Sequence, residues 1–460
     1  MRSVDEPMYA PLLTGAIGCV LAWGALAFGC NYPWAYTPLG IGAALTGIAM
    51  LATRRATLPL GIVAGLACVA AATVVQLVPV PSDWLRVLSP AGDSVLREYQ
   101  LGYAMGTWGR ISIAPDATLT GLALFAAFSL FMIGVGCSLS GATARRAAGA
   151  IVLLGVAVAV IGIVQRATFT GKIYGFWEPQ MGGSVFGPFV NRNHFAGWML
   201  MAVPLAAGTF AALVSRGMRG VRPGWHNRIL WISSPEANQA ILVGAAALLM
   251  ALSLVLTMSR SGMLALAVAI VVMACAAVRR HRTSVHRTAH VGYLVALVVL
   301  VVFWVGADAI AARFEADSTV TLSGRFPIWH DTLAIARDFW LTGTGLNTYG
   351  VATLFYQTSV PQAHLREAHS DYLQLAAEGG LLLGIPVLLT VMAFVAHVRR
   401  RFRDDEGSTY WIRAGAVTGI VAIAVQSIAE FSLQMPGNAV LFAALCGIAL
   451  HDGSRRGNIT

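Results

Sequence analysis

The side chains in this sequence that could do chemistry are few and clustered. The largest cluster is a polar island from Gly324 to Leu373, reading GRFPIWHDTLAIARDFWLTGTGLNTYG and, after a linker, REAHSDYL, set between apolar runs. Two further arginines stand where an anion would suit them. Arg192 lies in Asn191-Arg192-Asn193-His194, directly before the apolar run that opens at Phe195. It therefore heads an expected helix, whose unpaired N–H groups and positive dipole end favour negative charge. Spacing alone allows equally an arginine that only snorkels from a helix end. Arg260 stands in Ser259-Arg260-Ser261 between two apolar runs, with no acid beside it. At membrane depth such a charge costs about 2.5–3.5 kcal/mol on insertion scales, so it usually has a partner or a ligand. Gln426 and Glu430 are the only strongly polar residues of the last apolar pair, and Glu430 is placed to counter one of the arginines. No Gly-rich phosphate loop, HExxH or paired-Asp motif occurs in the chain.

A membrane must hold these groups. Of 460 residues, 57% are hydrophobic and 11% charged, the balance of a polytopic membrane protein. Runs long enough for the roughly 20-residue helix that crosses a hydrocarbon core give about 12 expected spans. They are Pro11–Cys30, Thr37–Thr53, Leu58–Val80, Ala117–Leu139, Ala147–Val164, Phe195–Val214, Gln239–Met258, Gly262–Val278, Val291–Ala309, Leu381–Val398, Ala414–Ser432 and Asn438–Leu450. Alternating them from a cytoplasmic N-terminus puts Arg54/Arg55, Arg145/Arg146, Arg216–Arg228, Arg279–Arg287, Arg399–Arg403 and Arg455/Arg456 all inside, as short cytoplasmic loops require. Both termini are then cytoplasmic, and the net charge of +10 is membrane topology rather than a nucleic-acid footprint. The first span is too long for a signal-peptide core and no small-residue cleavage site follows it, so it is expected to be retained. All six cysteines fall in expected spans and none in CxxC spacing, which argues against disulfides and a thiolate metal site.

The chain divides into a bundle at 1–309 with outer loops at 81–116 and 166–194, a large outer loop at 310–380, and a last set of spans at 381–460. The 81–116 loop, with Trp84, Arg86, Arg97, Tyr99, Trp108 and Arg110, suits a cover at the membrane interface. In the large loop, Pro327 and Gly343/Gly345 bracket a helix whose Phe326, Trp329, Leu333, Ala336 and Trp340 form a stripe. That stripe could lie on the bilayer with Trp329 and Trp340 as anchors. After Pro361 a second helix is expected to carry Arg366, Glu367, His369, Tyr372 and Glu378, with His369, Tyr372 and Leu373 on one face.

At these residues the sequence resembles the O-antigen ligase and O-antigen polymerase superfamily. The shared features are GRxxxW (Gly324, Arg325, Trp329), GxGxxxY (Gly343, Gly345, Tyr349), the HSDYLQL run from His369 with Glu378 and Gly379, TMSRSG at Thr257–Gly262 and NRNHFAG at Asn191–Gly197. They fall between Phe186 and Gly384, and the first five spans match only in topology. The resemblance implies an all-α, GT-C-like glycosyltransferase of the bacterial inner membrane with its active site facing the periplasm. Such an enzyme moves a glycan from undecaprenyl diphosphate to an acceptor hydroxyl, on a lipid A core sugar or a growing glycan, without metal or other cofactor. A protein hydroxyl as acceptor and a polysaccharide flippase are the alternative readings.

The same resemblance assigns roles. Cleaving the donor leaves a doubly charged lipid diphosphate, which the forked guanidinium groups of Arg192, Arg260 and Arg325 would neutralise in place of a metal. The acceptor alcohol must lose a proton, and an imidazole, with an ordinary pKa of about 6.5, can take it at neutral pH. His369 is the candidate base, with Asp371 or Glu367 to orient its ring, and with His194, Tyr372 and Glu430 in support. Direct attack opposite the diphosphate would invert the anomeric centre.

Overall fold

The computed structural model describes residues 10–54, 56–104, 106–180, 184–221, 224–280, 292, 318–358, 364–405, 407 and 409–452. Apart from Gly292, the expected span Val291–Ala309 lies outside the described residues, as do the histidines at 281, 286 and 290 and Arg455/Arg456. The rest is an all-α membrane protein. Its helices are α1 (Ala10–Leu26), α2 (Pro33–Ala52), α3 (Leu60–Leu77), α4 (Ser82–Leu88), α5 (Pro90–Tyr99), α6 (Pro115–Ser138), α7 (Gly141–Thr168), α8 (Arg192–Gly217), α9 (Trp225–Ile232), α10 (Pro235–Leu256) and α11 (Arg260–Arg280). After the undescribed stretch come α12 (Ser318–Asp338), α13 (Tyr349–Tyr356), α14 (Asp371–Asp404), α15 (Thr409–Gln426) and α16 (Pro436–Leu450). Among the described residues eight helices are long and apolar enough to cross a membrane, and α1 and α16 are shorter apolar helices. The span expected from Ala414 begins a turn earlier as α15, whose Arg413 is buried. Its guanidinium donates to the Ala449 carbonyl at 2.9 Å and to Asp405 at 3.2 Å.

Helix α8 is the axis of the bundle, apolar all round and buried along most of its length. It packs on α7, α10, α11 and α15. Lipid tails are as apolar as leucine, so such packing depends on close backbone approach at small residues. A Cβ on Gly415 would stand 2.5 Å from the Pro204 carbonyl oxygen, and one on Gly419 2.8 Å from that of Met201. Glycine on α15 is what lets the two backbones touch.

The two ends of the bundle differ in chemistry. At one end Arg280 lies over the Tyr410 ring and donates to the Asp405 carbonyl at 3.3 Å, while Arg401 pairs with Asp452 at 3.2 Å. The other end carries Asn193, Arg325, His369 and Glu430. Helix α14 connects the two, from Asp371 to the arginines of its last turn. It breaks at Gly380 (φ 51°), where Leu381 and Leu382 donate to the carbonyls of Trp340 and Leu341.

The 81–116 segment, expected as a cover, folds into a small helical unit. Helices α4 and α5 are closed by an antiparallel pairing of Val80 with Gly109 and of Pro81 with Trp108. Inside, buried Asp93 accepts from Arg97 Nε at 2.7 Å and from Tyr103 Oη at 2.7 Å. Burial pushes the Asp93 carboxyl up, but the Arg97 and Tyr103 bonds together with the Arg97 charge outweigh it and hold the group below the usual carboxylate range. Burial and the same carboxylate push Tyr103 up to about 12. A depressed carboxylate pKa contributes stability above the unfolded value of about 3.9, lost as pH falls through the folded value. Pepsin cleavage within 82–109 should therefore accelerate several-fold below about pH 4. In Asp93→Asn the cover should be cut readily at every pH, and an unchanged profile in that variant would refute this account.

Two expectations for the large loop are corrected. Pro327 does not open its helix, because α12 starts at Ser318 and Pro327 lies inside it. Trp329 does not anchor to lipid either: its Nε1 donates to the Ala368 carbonyl at 3.1 Å. Phe326, Leu333 and Trp340 are exposed as the expected outer stripe, while Ile328, Ile335 and Phe339 form the buried face. Cys30 also departs from expectation, lying in a 3₁₀ turn after α1 rather than in a span.

Candidate active site

The site is built around one carboxylate. Glu430 follows α15, in the turn before Phe431, and is 0% exposed. Arg325, one of the expected site residues, pairs with Glu430 Oε1 from α12, its side chain 16% exposed. Asn193 Nδ2 donates to the same oxygen at 2.7 Å from the first turn of α8. His369 Nδ1 faces the other oxygen, Oε2, at 3.9 Å. In the sequence Glu430 lies 105 residues from Arg325 and 237 from Asn193. The fold turns a scattered set into a single cluster.

His369 is not on a helix, as its spacing with Tyr372 and Leu373 suggested. Ser370 caps α14, its hydroxyl accepting from the Leu373 N–H at 3.4 Å, and His369 precedes it with φ 51°. A non-glycine residue there is strained and stays only where its surroundings over-determine it, as they often do at active sites. Here Ala368 is held on both sides, its N–H by Gln374 at 3.1 Å and its carbonyl by Trp329. The motif GRxxxW thus places two contacts one turn apart on α12: Arg325 reaches Glu430, and Trp329 holds the peptide next to His369.

Asp371 does not orient the His369 ring. Its carboxylate accepts from Ser427 Oγ at 2.6 Å and from the Leu433 N–H at 3.3 Å, and its own N–H donates to the Ser427 and Glu430 carbonyls. It fixes the 427–433 turn that presents Glu430 and Phe431. Glu367, the other expected partner, lines a separate polar cavity of about 170 Å³ with Arg366, Asn31, Gln374 and Gln434. Burial holds its carboxyl above the ordinary range, against the pull of the His369 and Arg366 charges. The carboxylate oxygen facing His369 is that of Glu430.

The supporting residues divide. The buried His194 ring stands edge-on to Phe431, centroids 4.7 Å apart, and His369 meets the same ring at 4.9 Å. Tyr372 is exposed and donates to the Ala424 carbonyl at 2.8 Å, tying α14 to α15. Arg192 and Arg260 are the first residues of α8 and α11, each half-buried and each with an interaction of its own. The two helix heads meet, since a Cβ on Gly262 would be 2.9 Å from that of Ala196. The head of α8 offers no bare N–H groups to an anion. Arg192 N donates to Ser184 O, Asn193 N to the Asn191 side chain, and the N–H groups of His194 and Phe195 to Asn191 O. Any anion there would meet side chains.

The GxGxxxY stretch serves the scaffold. Buried Glu378 accepts from the Asn347 N–H at 2.8 Å and the Tyr349 N–H at 3.0 Å, and Gln76 of α3 donates to the Thr342 and Glu378 carbonyls. Gly343 (φ 68°) passes so close to the Glu378 carbonyl that no side chain fits. This turn locks α14 about two turns into the helix, whose first residue follows His369 and Ser370.

Asn193, Phe431 and Trp329 are site residues that sequence reasoning did not assign. Asn193 and Trp329 lie inside stretches that were singled out; nothing in the sequence marks Phe431 except its place after Glu430. Among the described residues no three His, Cys, Asp or Glu side chains come together as metal ligands do.

What the cluster can do follows from its groups. It holds a partly exposed guanidinium, a buried carboxylate, and an imidazole with its second nitrogen unengaged by that carboxylate. Such a set can bind an anion and move one proton. No curated protein matches the chain. Residues 245–388, which carry Arg260, Arg325 and His369, match the family model described as O-Antigen ligase, and this places that segment of a membrane protein in the O-antigen ligase and polymerase superfamily.

Proposed function

We propose that this protein transfers a glycan from undecaprenyl diphosphate to an acceptor hydroxyl at the periplasmic face of the bacterial inner membrane, with inversion at the anomeric carbon. The observation that carries the proposal is the convergence of Arg325, Asn193 and His369 on buried Glu430, at the end of the bundle opposite its arginine-rich end.

In the free protein Arg325 neutralises Glu430. A diphosphate entering from the bilayer offers it two charges and more oxygens, so Arg325 turns to the donor, where Arg192 and Arg260 add to the positive field. His369 Nδ1–H then donates a hydrogen bond to Glu430, a contact of the kind that is long in free enzymes and tightens with substrate. This leaves Nε2 as the proton acceptor. The acceptor oxygen bonds to the anomeric carbon while the bond from that carbon to the diphosphate oxygen breaks. The hydroxyl proton passes to Nε2, the imidazolium faces Glu430, and the lipid diphosphate leaves against the arginines. Fixed cations in a site beside lipid do here what is often asked of a metal ion.

The test is reconstitution of the purified protein with undecaprenyl-diphosphate oligosaccharide and chelator, with and without a lipid A core acceptor, read as glycan size on a gel. A single adduct on the core lipid identifies a ligase, and a ladder without added core a polymerase. A product that keeps the donor's anomeric configuration refutes direct displacement. No transfer to any acceptor refutes the proposal and favours transport.

A further inference from the structure

The cover contains a second concave surface. A cleft of about 790 Å³ opens between it, the start of α6 and the end of α13, within the range of about 300–1,000 Å³ typical of small-ligand sites. Its walls present three aromatic rings: Trp108 (65% exposed), Tyr99 (60% exposed) and Phe355. Tyr99 and Phe355 come from separate elements and meet with centroids 4.6 Å apart. Gln100, Arg110 and Asp116 line the same cleft.

We infer that this cleft is a glycan-binding subsite, holding sugar residues away from the bond that is made or broken. A pyranose ring has one face of C–H groups, slightly positive, which packs on the negative face of an aromatic ring. Its hydroxyls need donors and acceptors around that contact, and an amide, a guanidinium and a carboxylate supply both. Aromatic rings of an interfacial belt serve a flat boundary with lipid and need no concavity with such groups in it. The walls are also preorganised. Trp108 is held by its pairing with Pro81, and Tyr99 ends the helix that Asp93 and Arg97 brace.

The cleft is continuous with the scaffold of the proposed active site. Ser112 N donates to the Gln76 carbonyl and Ile113 N to the Thr344 carbonyl, both at 2.9 Å. Gln76 of α3 donates to the Glu378 carbonyl, and Thr344 belongs to the turn that grips Glu378 on α14, the helix that begins just after His369. The cleft therefore lies at the His369 end of the molecule, where a chain attached to a lipid-linked donor or acceptor would pass.

The assignment rests on the transferase reading only for the origin of the glycan. Its test accordingly uses binding and not transfer. Oligosaccharides of graded length, released from the lipid-linked donor by mild acid, are titrated against the full-length protein in detergent. We expect affinity to rise with length, to fall about tenfold in Trp108→Ala and Tyr99→Ala, and to survive in Trp108→Phe and His369→Gln. Equal affinity in wild type and Trp108→Ala overturns the subsite, as does loss of binding in His369→Gln alone, which would put the probe in the active-site cavity. A phospholipid that copurifies with wild type and is lost in Trp108→Ala makes the cleft a lipid site and also overturns it. Oligosaccharide binding without any transfer by the wild type refutes the transferase reading and leaves the subsite standing.

Discussion

Replacing His369 with glutamine is expected to lower glycan transfer by about 10²- to 10⁴-fold, the usual contribution of a positioned general base. Glutamine keeps a polar side chain of similar length but cannot take up and release a proton. Stability should change little: the ring is partly exposed, its contact with Glu430 is long, and its other neighbour is the edge of Phe431. The strained backbone at this position is held by Ala368, Ser370 and Asp371 rather than by the imidazole. Donor binding should survive as well, because the arginines assigned to the diphosphate are untouched. The fall therefore belongs in kcat, with KM for the donor nearly unchanged, and thermal unfolding should stay at the wild-type value. Transfer within tenfold of wild type, or a loss confined to KM, would remove His369 from the proton step.

How much of this was legible beforehand depended on distance along the chain. Apolar runs report helices directly, so α2, α3, α6–α8, α10 and α11 stand where hydropathy put them, with ends moved by a turn or two, while α14 starts ten residues before the expected Leu381. The cationic residues could be singled out because arginine outside an arginine-rich inner loop is costly and conspicuous. Local geometry was harder. Three-and-four spacing suggested one face for His369, Tyr372 and Leu373, but Ser370 followed by Asp371 is a helix start, and reading it would have put His369 outside. The pairing of Glu430 could be foreseen only as a pairing with some arginine. Which arginine depends on how α12 comes to lie beside the 427–433 turn, and no local pattern encodes that. The same holds for Asp371: an acid in a helix's first turn looks like a partner of the dipole, and only the fold brings the 427–433 turn onto it.

The second large effect concerns Arg325 and Glu430, and it separates a structural pair from a working one. Truncating one partner of a buried ion pair leaves the other charge uncompensated, which costs about 3–5 kcal/mol, whereas replacing both with apolar groups of similar size is often neutral. Arg325→Ala should therefore be both inactive and markedly less stable, since Glu430 would keep only Asn193 as a donor. By itself that result cannot say which loss matters. The double variant Arg325→Met with Glu430→Leu removes the charges together, and thermal unfolding should return close to wild type. Transfer should not return, because neither the diphosphate nor the His369 ring would have its counter-charge. Arg325→Lys gives the complementary case: the charge remains but the planar fork is lost. Stability should hold while transfer falls by about 10²- to 10³-fold, the range for removing one oriented donor from a developing anion. If the double variant recovers transfer along with stability, Arg325 and Glu430 only brace α12 against the 427–433 turn, and the leaving diphosphate is neutralised by Arg192 and Arg260 without them.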